Sequence, residues 1–402
     1  MIFKLAKFCV FTVFFYILYI KNIVILPYFL QLFGSAALLF SILHMLSKKS
    51  SINKGFSVEI VWWIIFAIES FLVGIIIAFD QSVLISSLLT YVQFLILTIL
   101  LIYICNYEKS IGFVLSIGKW TAIFCAIHTA FWGELSGWGG RIAMTENTNT
   151  NTLGIIMVFG MFCILYELNL KKNWSFLLNF LLLSLFAYVT FLTGSRKSFL
   201  AICLLLGFWS MFSLKYKFKD ISILKKVTLV FFGLFITTYL AYFLIPQLND
   251  SVMFSRLQNL VENGNDTREN MYNVAWQLFN NNKLFGVGFD QYKVVSGFGK
   301  YSHSTYAEAL STFGIIGSIL YFIPYIMILI KYTKLFFIKK VNTDTKSGIR
   351  LLFGIYITYL FLGVGIVHYY NPTSYLVFAA LISFYKINKS QYNFDNSSKR
   401  KI

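Results

Sequence analysis

The sequence contains unusually little charge. Only 12% of its 402 residues are charged, whereas 58% are hydrophobic and 19% are aromatic. A typical soluble domain carries about 25% charged residues. The composition therefore excludes a soluble globular protein and predicts a polytopic membrane protein without a separate soluble domain.

Recognisable nucleotide and metal motifs are also missing. The sequence has no glycine-rich phosphate loop and no Asp-x-Asp pair, and its cysteines lack the spacing of metal ligands. All five cysteines lie in or at the edge of predicted membrane spans, so we expect no disulfide framework, no bound metal and no cofactor. They are Cys9, Cys105, Cys125, Cys163 and Cys203.

What the sequence does contain is a series of apolar runs of about the length that crosses a bilayer. They predict an all-α fold, a single transmembrane helical domain with about twelve spans, of which the first is a retained helix and the last is short. The predicted spans are 5–20, 23–46, 58–79, 83–105, 111–131, 152–168, 175–193, 198–214, 227–245, 306–330, 351–367 and 374–385.

The net charge of +18 reflects an uneven distribution of lysine and arginine between the two faces. If the N-terminus is cytoplasmic, 24 of the 34 basic residues lie on the cytoplasmic side and 9 on the other, with Lys119 inside a span. Because cytoplasmic loops attract positive charge, this bias predicts that both termini are cytoplasmic. The basic excess is explained by topology and anionic lipids, so no nucleic-acid partner is expected.

Two polar loops on the predicted outer face are longer than a simple helix connection requires. They cover 133–150 and 246–302, and long loops on a rigid scaffold commonly carry function. In the second loop, apolar residues recur at helical spacing, which predicts a surface helix on the membrane. These residues are Met271, Val274, Ala275, Leu278 and Phe279.

His303 lies at the end of the large loop, where a span begins. A near-neutral imidazole at the membrane boundary can remove a proton from a sugar hydroxyl, and Glu308 is close enough in sequence to orient it. Gly314 and Gly317 would let a neighbouring helix pack closely and fix the imidazole in place. The alternative is a histidine that only caps an interfacial helix.

Several cations lie on the same predicted face. Arg196 ends the Thr193–Arg196 turn beside Lys197, and an arginine fork binds phosphate oxygens in two hydrogen bonds at once. Arg268 follows Asp266 in the large loop. The alternatives are a snorkelling anchor for Arg196, a weak surface ion pair for Arg268, and plain loop charges for Arg141 and Arg256.

These motifs together resemble the O-antigen ligase and Wzy-type repeat-unit polymerase superfamily. The match consists of His303-Ser304 followed by Gly314 and Gly317, the Thr193–Arg196 turn, and the Asp266–Arg268 motif followed by Trp276 and Gly286–Gly288. A weaker match is Arg141 followed by Asn151–Gly154. Ser304 replaces a frequent asparagine. The resemblance covers roughly residues 141–330.

The resemblance implies a metal-independent glycosyltransferase of the bacterial plasma (inner) membrane that uses an undecaprenyl-pyrophosphate-linked oligosaccharide as donor. By this resemblance Arg196 and Arg268 bind the pyrophosphate and His303 is the base, while Arg141, Lys197, Arg256 and Glu308 are expected to contact substrate. Membrane lipid, a chain-length regulator and a flippase are the expected partners. Two alternatives remain: a ligase that transfers the glycan to another acceptor, and a flippase or other transporter.

Overall fold

The computed structural model of the chain describes residues 1–48, 55–136, 141–170, 176–214, 267–338 and 343–397. Within them the protein is almost entirely helical, as predicted. The helices are α1 (Ile2–Leu18), α2 (Phe29–Ser47), α3 (Val58–Ile77), α4 (Gln81–Glu108), α5 (Gly112–Trp132), α6 (Thr150–Leu170), α7 (Phe176–Leu192), α8 (Arg196–Trp209), α9 (Thr267–Asn281), α10 (Tyr292–Val295), α11 (Thr305–Phe336), α12 (Thr343–Leu362) and α13 (Pro372–Ser397).

Seven of the described helical segments are long and apolar enough to cross a membrane, namely Ile2–Asn22, Phe29–Ser47, Val58–Ile77, Gln81–Glu108, Gly112–Trp132, Thr150–Asn169 and Thr305–Phe336. Helices α7, α8, α12 and α13 coincide with four further predicted spans, although α13 is longer than the predicted 374–385. The predicted span 227–245 lies outside the described residues. The all-α polytopic fold is confirmed, and the number of spans stays a prediction.

The chain divides into two compact units. The single transmembrane helical domain stays a prediction. The first unit comprises Met1–Thr121, Thr267–Lys334 and Tyr359–Ile402. The second comprises Ala122–Asp266 and Leu335–Thr358.

Helix ends in the first unit follow from local sequence. Asp80 caps α4, because its Oδ1 accepts hydrogen bonds from the backbone N–H groups of Ser82 at 2.9 Å and Val83 at 3.1 Å. The surface helix predicted from the spacing of residues 271–279 is present as α9. It is followed by a glycine-rich turn and the short helix α10.

An aromatic cluster forms the centre of the first unit and buries part of the large polar loop. Phe289, from that loop, is 1% exposed, and its ring centroid lies 5.6 Å from that of Phe313 and 5.1 Å from that of Tyr369. Phe66 of α3 joins the cluster at 4.8 Å from Phe313. Burial of such large rings contributes strongly to folding, so this part of the loop is fixed to the helices.

The second unit contains a short antiparallel hairpin that the sequence did not predict. Strand β1 (Glu134–Leu135) pairs with strand β2 (Ile142–Ala143), and Arg141 immediately precedes β2.

Gly160 of α6 lets Ala122 and Phe186 approach closely, since an added Cβ would lie 2.2 Å from the Ala122 Cβ.

Candidate active site

His303 occupies a tight turn at the start of α11. Its φ of 61° lies in the left-handed region that non-glycine residues seldom adopt. The Ser302 hydroxyl donates to the Ser304 carbonyl at 3.1 Å, and the Ser304 hydroxyl accepts from the Ala307 N–H at 3.4 Å, so Ser304 caps the helix. The imidazole is half-buried, with its ring centroid 4.5 Å from that of Tyr301.

Glu308 fixes this turn from the inside of the protein. Its side chain is fully buried, Oε2 accepts from the Ser302 N–H at 2.6 Å, and Oε1 accepts from the Tyr369 hydroxyl at 3.4 Å. The carboxylate is inaccessible and already engaged by the turn. The geometry therefore favours the orienting role for Glu308 over direct contact with substrate.

Thr305 attaches the same turn to the segment 363–368, which connects α12 and α13. The Thr305 N–H donates to the Gly363 carbonyl at 2.7 Å, and the Thr305 hydroxyl donates to the Ile366 carbonyl at 2.7 Å. That hydroxyl also accepts from the His368 N–H at 3.1 Å. Burial lowers the pKa of His368 to about 4, so this imidazole is neutral near pH 7.

Helix α9, which carries Arg268 in its first turn, is attached to the same segment. The hydroxyl of Tyr272 donates to the Val364 carbonyl at 3.1 Å, and the hydroxyl of Tyr292 donates to the Met271 carbonyl at 2.8 Å. Arg268 and Tyr272 are four residues apart and therefore share one face of the helix. Segment 363–368 thus anchors both the His303 turn and the beginning of the arginine-bearing helix.

Helix α11 is broken at Gly314, whose φ of 61° and ψ of −160° are not helical. The turn 283–288 supplies the missing backbone partners. The N–H groups of Ile315 and Ile316 donate to the backbone carbonyls of Lys283 and Leu284. Those of Val287 and Gly288 donate to the backbone carbonyls of Ser311 and Thr312. An added Cβ at Gly314 would lie 2.4 Å from the Leu284 oxygen. Gly314 therefore accommodates a loop backbone, not the neighbouring helix that we predicted.

Gly317 does face another helix. An added Cβ there would lie 3.1 Å from a carboxylate oxygen of Glu69, on α3. The two glycines of the motif therefore serve different contacts. One allows the loop to pair with the broken helix, and the other allows α3 and α11 to approach.

Asp290 and Gln291 lie near the candidate site, and no motif in the sequence indicated them. The Asp290 carboxylate is buried, accepts from the Ser87 hydroxyl, and pairs with the Lys293 ammonium at 2.5 Å. Burial raises the pKa of this carboxyl, and the bonds from Lys293 and Ser87 oppose part of the rise. The Gln291 amide accepts from the Asp80 N–H at 2.8 Å and donates to the Asp80 carbonyl at 3.0 Å.

These two residues clamp the large loop to the α3–α4 pair. Their only signal in the sequence was their position after the Gly286–Gly288 turn. The partners, Asp80 and Ser87, lie some 200 residues earlier in the chain. Sequence spacing gives no indication of such long-range pairs.

The second unit contains the other predicted cations. Arg196 is the first residue of α8, after Gly194 with a φ of 58°, and Lys197 follows it. The Arg141 guanidinium donates to the Thr150 hydroxyl at 3.1 Å, at the start of α6. Gly154 of α6 lies against this region, because an added Cβ would meet the Ser198 hydroxyl at 2.5 Å.

Gly154, part of the weaker sequence match, therefore packs against the start of α8 in the same unit, where an added Cβ would also lie 3.4 Å from the Ser195 Cβ. Arg196 and Arg268 both occupy the first turn of a helix, where the helix dipole disfavours a cation by about 0.3–1 kcal/mol and favours an anion. An arginine at that position is well placed to bind phosphate oxygens together with helix N–H groups.

The structure places the predicted site residues as follows. His303, Glu308 and Arg268 belong to the first unit, whereas Arg141, Arg196 and Lys197 belong to the second. Arg256 lies outside the described residues. The roles assigned to these residues stay predictions.

Comparison with known proteins supports one family. Residues 178–322 match a protein-family model described as O-antigen ligase. The matched range contains Arg196, Arg268, His303 and both glycines of the histidine motif. A search of curated proteins gives no match.

Proposed function

From the match of residues 178–322 to the O-antigen ligase family model, we propose that the protein polymerises lipid-linked oligosaccharide repeat units into a surface polysaccharide. Family and apolar helices together indicate a multi-pass bacterial membrane enzyme of O-antigen or polysaccharide assembly. The finer proposal names the donor as an undecaprenyl-pyrophosphate-linked glycan and the acceptor as the hydroxyl of another repeat unit.

The chemistry of such a transfer needs two kinds of group. As the bond between the sugar and the pyrophosphate breaks, negative charge grows on the leaving group, and fixed arginines stabilise it. The attacking hydroxyl has a high pKa, so a base that removes its proton lowers the barrier. We assign the first role to Arg268 and Arg196 and the second to His303.

One observation carries this proposal: segment 363–368 anchors both the His303 turn, through Thr305, and the start of the Arg268 helix, through Tyr272. A base and a phosphate-binding cation attached to one rigid segment keep a set separation, which is what positioning a reaction requires. Glu308 also stabilises this turn, because its side chain accepts a hydrogen bond from the Ser302 N–H next to the histidine. Arg141 and Lys197 are proposed as further substrate contacts.

The experiment is chain elongation by the purified protein in detergent, with lipid-linked repeat units supplied alone and then together with a separate glycan acceptor. An enzyme lengthens the glycan without a membrane, whereas a transporter has no measurable activity there. A ligase would instead transfer the glycan to a separate acceptor and leave its length unchanged. Product length therefore distinguishes the three alternatives.

In this assay we expect His303→Ala to lower the rate by about 10²–10⁴-fold, with donor binding nearly unchanged. The wild-type rate should also fall as pH drops through the range in which imidazoles gain a proton, because imidazolium cannot accept one. His128→Ala is the control, since His128 is no part of the proposed site. Wild-type turnover by His303→Ala, or loss of donor binding in place of turnover, would remove His303 as the base.

A further inference from the structure

A long apolar groove lies between α3 and α4 in the first unit. Its volume is about 470 Å³ and every lining side chain is apolar. Ala67, Leu88 and Leu95 form a buried floor, whereas Ile68 and Leu89 on the walls are 54% and 57% exposed. The groove is therefore open along its side and offers a concave hydrocarbon-lined surface between two membrane-spanning helices.

We infer that this groove seats the polyprenyl chain of the lipid-linked donor, an inference that rests on the proposed function. On α4 the lining residues run from Ile85 to Ile99, a length of about 21 Å at 1.5 Å per residue. One leaflet of the hydrocarbon core is only about 15 Å thick. A phospholipid acyl chain ends near the midplane, so the groove is longer than such a chain and fits a longer polyisoprenoid.

The groove also begins next to the candidate site. Ser87 directly precedes the groove residue Leu88 in α4, and its hydroxyl donates to Asp290. Gly288 packs against the turn that joins α3 and α4, because an added Cβ would lie 3.4 Å from the Ala78 Cα. A chain lying in the groove therefore ends at the loop segment 288–293.

That loop segment connects directly to the His303 turn. Phe289 packs on Tyr369, with 5.1 Å between ring centroids, and the Tyr369 hydroxyl donates to Glu308, which holds the turn. The buried contacts of Phe289, Tyr369 and Glu308 thus tie the end of the groove to the His303 turn within the first unit. Because the polyprenyl chain already lies in bilayer hydrocarbon, the groove contributes packing and orientation of the donor and not a gain from transfer out of water.

The test is site-specific photo-crosslinking in vesicles of phosphatidylglycerol that contain a small fraction of polyprenyl pyrophosphate. Benzoylphenylalanine replaces Leu89 in the groove or, as the matched control, Leu72 of α3, which is 59% exposed but does not line the groove. We expect isoprenoid adducts to be enriched at position 89 and to follow the bulk lipid composition at position 72. Equal composition at both positions would overturn the inference.

A second set of variants ties the groove to the donor. Ala67→Trp fills the floor and should abolish the isoprenoid adduct at position 89, raising the KM for donor about tenfold at unchanged kcat. Ile76→Trp, on an exposed position outside the groove, should change neither. If Ala67→Trp does not fold, Ala67→Phe replaces it. An unchanged adduct in a folded filling variant contradicts the inference.

The crosslinking readout requires no turnover, so the two proposals fail separately. Isoprenoid labelling at position 89 in a protein that never elongates glycans would support the groove inference and contradict the proposed polymerase activity. Glycan elongation together with labelling at position 89 that follows the bulk lipid composition would support the polymerase activity and contradict the groove inference.

Discussion

His303 adopts a backbone conformation that costs a non-glycine residue about 1–2 kcal/mol. Such strain persists only where the surroundings over-determine it, and it clusters at functional sites. Here the surroundings are the Ser302 hydroxyl, the Ser304 cap and the buried Glu308 carboxylate. The strained turn presents the imidazole at the helix start in a way that a regular helix does not.

The arginines allow a prediction that separates geometry from charge. Arg196→Lys and Arg268→Lys keep the charge but remove the planar two-pronged donor. We expect each to lower activity at least about tenfold, with weaker donor binding at normal expression and membrane insertion. The measurements are elongation rate and donor affinity of the purified variants.

Arg350→Lys is the matched control for this pair of variants. The Arg350 guanidinium lies over the Phe212 and Phe336 rings, 5.2 Å and 5.4 Å from their centroids, and has no role in the proposed site. It should retain donor binding. Full activity of both Arg196→Lys and Arg268→Lys would remove the pyrophosphate assignment.

At the scale of elements, α11 illustrates how a helix and a loop complete each other. The break at Gly314 frees backbone groups on both sides, and turn 283–288 binds four of them through Lys283, Leu284, Val287 and Gly288. Non-helical backbone in a membrane segment is tolerated only when its polar groups are satisfied in this way. Turn 283–288 consequently completes the backbone hydrogen bonding of α11.

A non-glycine residue in the left-handed region costs about 1–2 kcal/mol. We expect Gly314→Ala to destabilise the protein by more than this, because the alanine Cβ would also meet the Leu284 carbonyl. The measurement is the thermal unfolding midpoint in detergent, together with elongation rate. Gly207→Ala is the matched control. Gly207 is in α8, and an added Cβ there meets nothing within 4 Å.

The control substitution should leave the midpoint unchanged or raise it slightly, since alanine is the better helix former. A Gly314→Ala protein as stable as Gly207→Ala would show that the backbone pairing between turn 283–288 and α11 is dispensable.

At the scale of the whole molecule, the charge bias predicts the topology. The asymmetry of 24 to 9 basic residues favours a large loop outside and both termini inside. Single cysteines at Asn263 and Ser390, in a background without the five native ones, test this with an impermeant thiol reagent on intact cells. We expect labelling at position 263 only, and labelling at 390 would contradict the topology.

The sequence by itself determined the fold class and most helix positions. Hydrophobicity over some 20 residues is a local property, so runs such as 58–79 and 83–105 gave α3 and α4 to within a few residues. The 3.6-residue period gave α9. The histidine and arginine motifs were also visible, because residue type and spacing are preserved in the chain.

Only the tertiary structure decided how these parts are held together. The pairing of Asp290 with Ser87 and of Gln291 with Asp80 depends on backbone folding over more than 200 residues. The break at Gly314 was missed because glycine is compatible both with close helix packing and with a left-handed turn, and the choice depends on the loop that meets it. The burial of Glu308, which favours a positioning role over contact with substrate, is decided by the surrounding helices and not by its own neighbours in sequence.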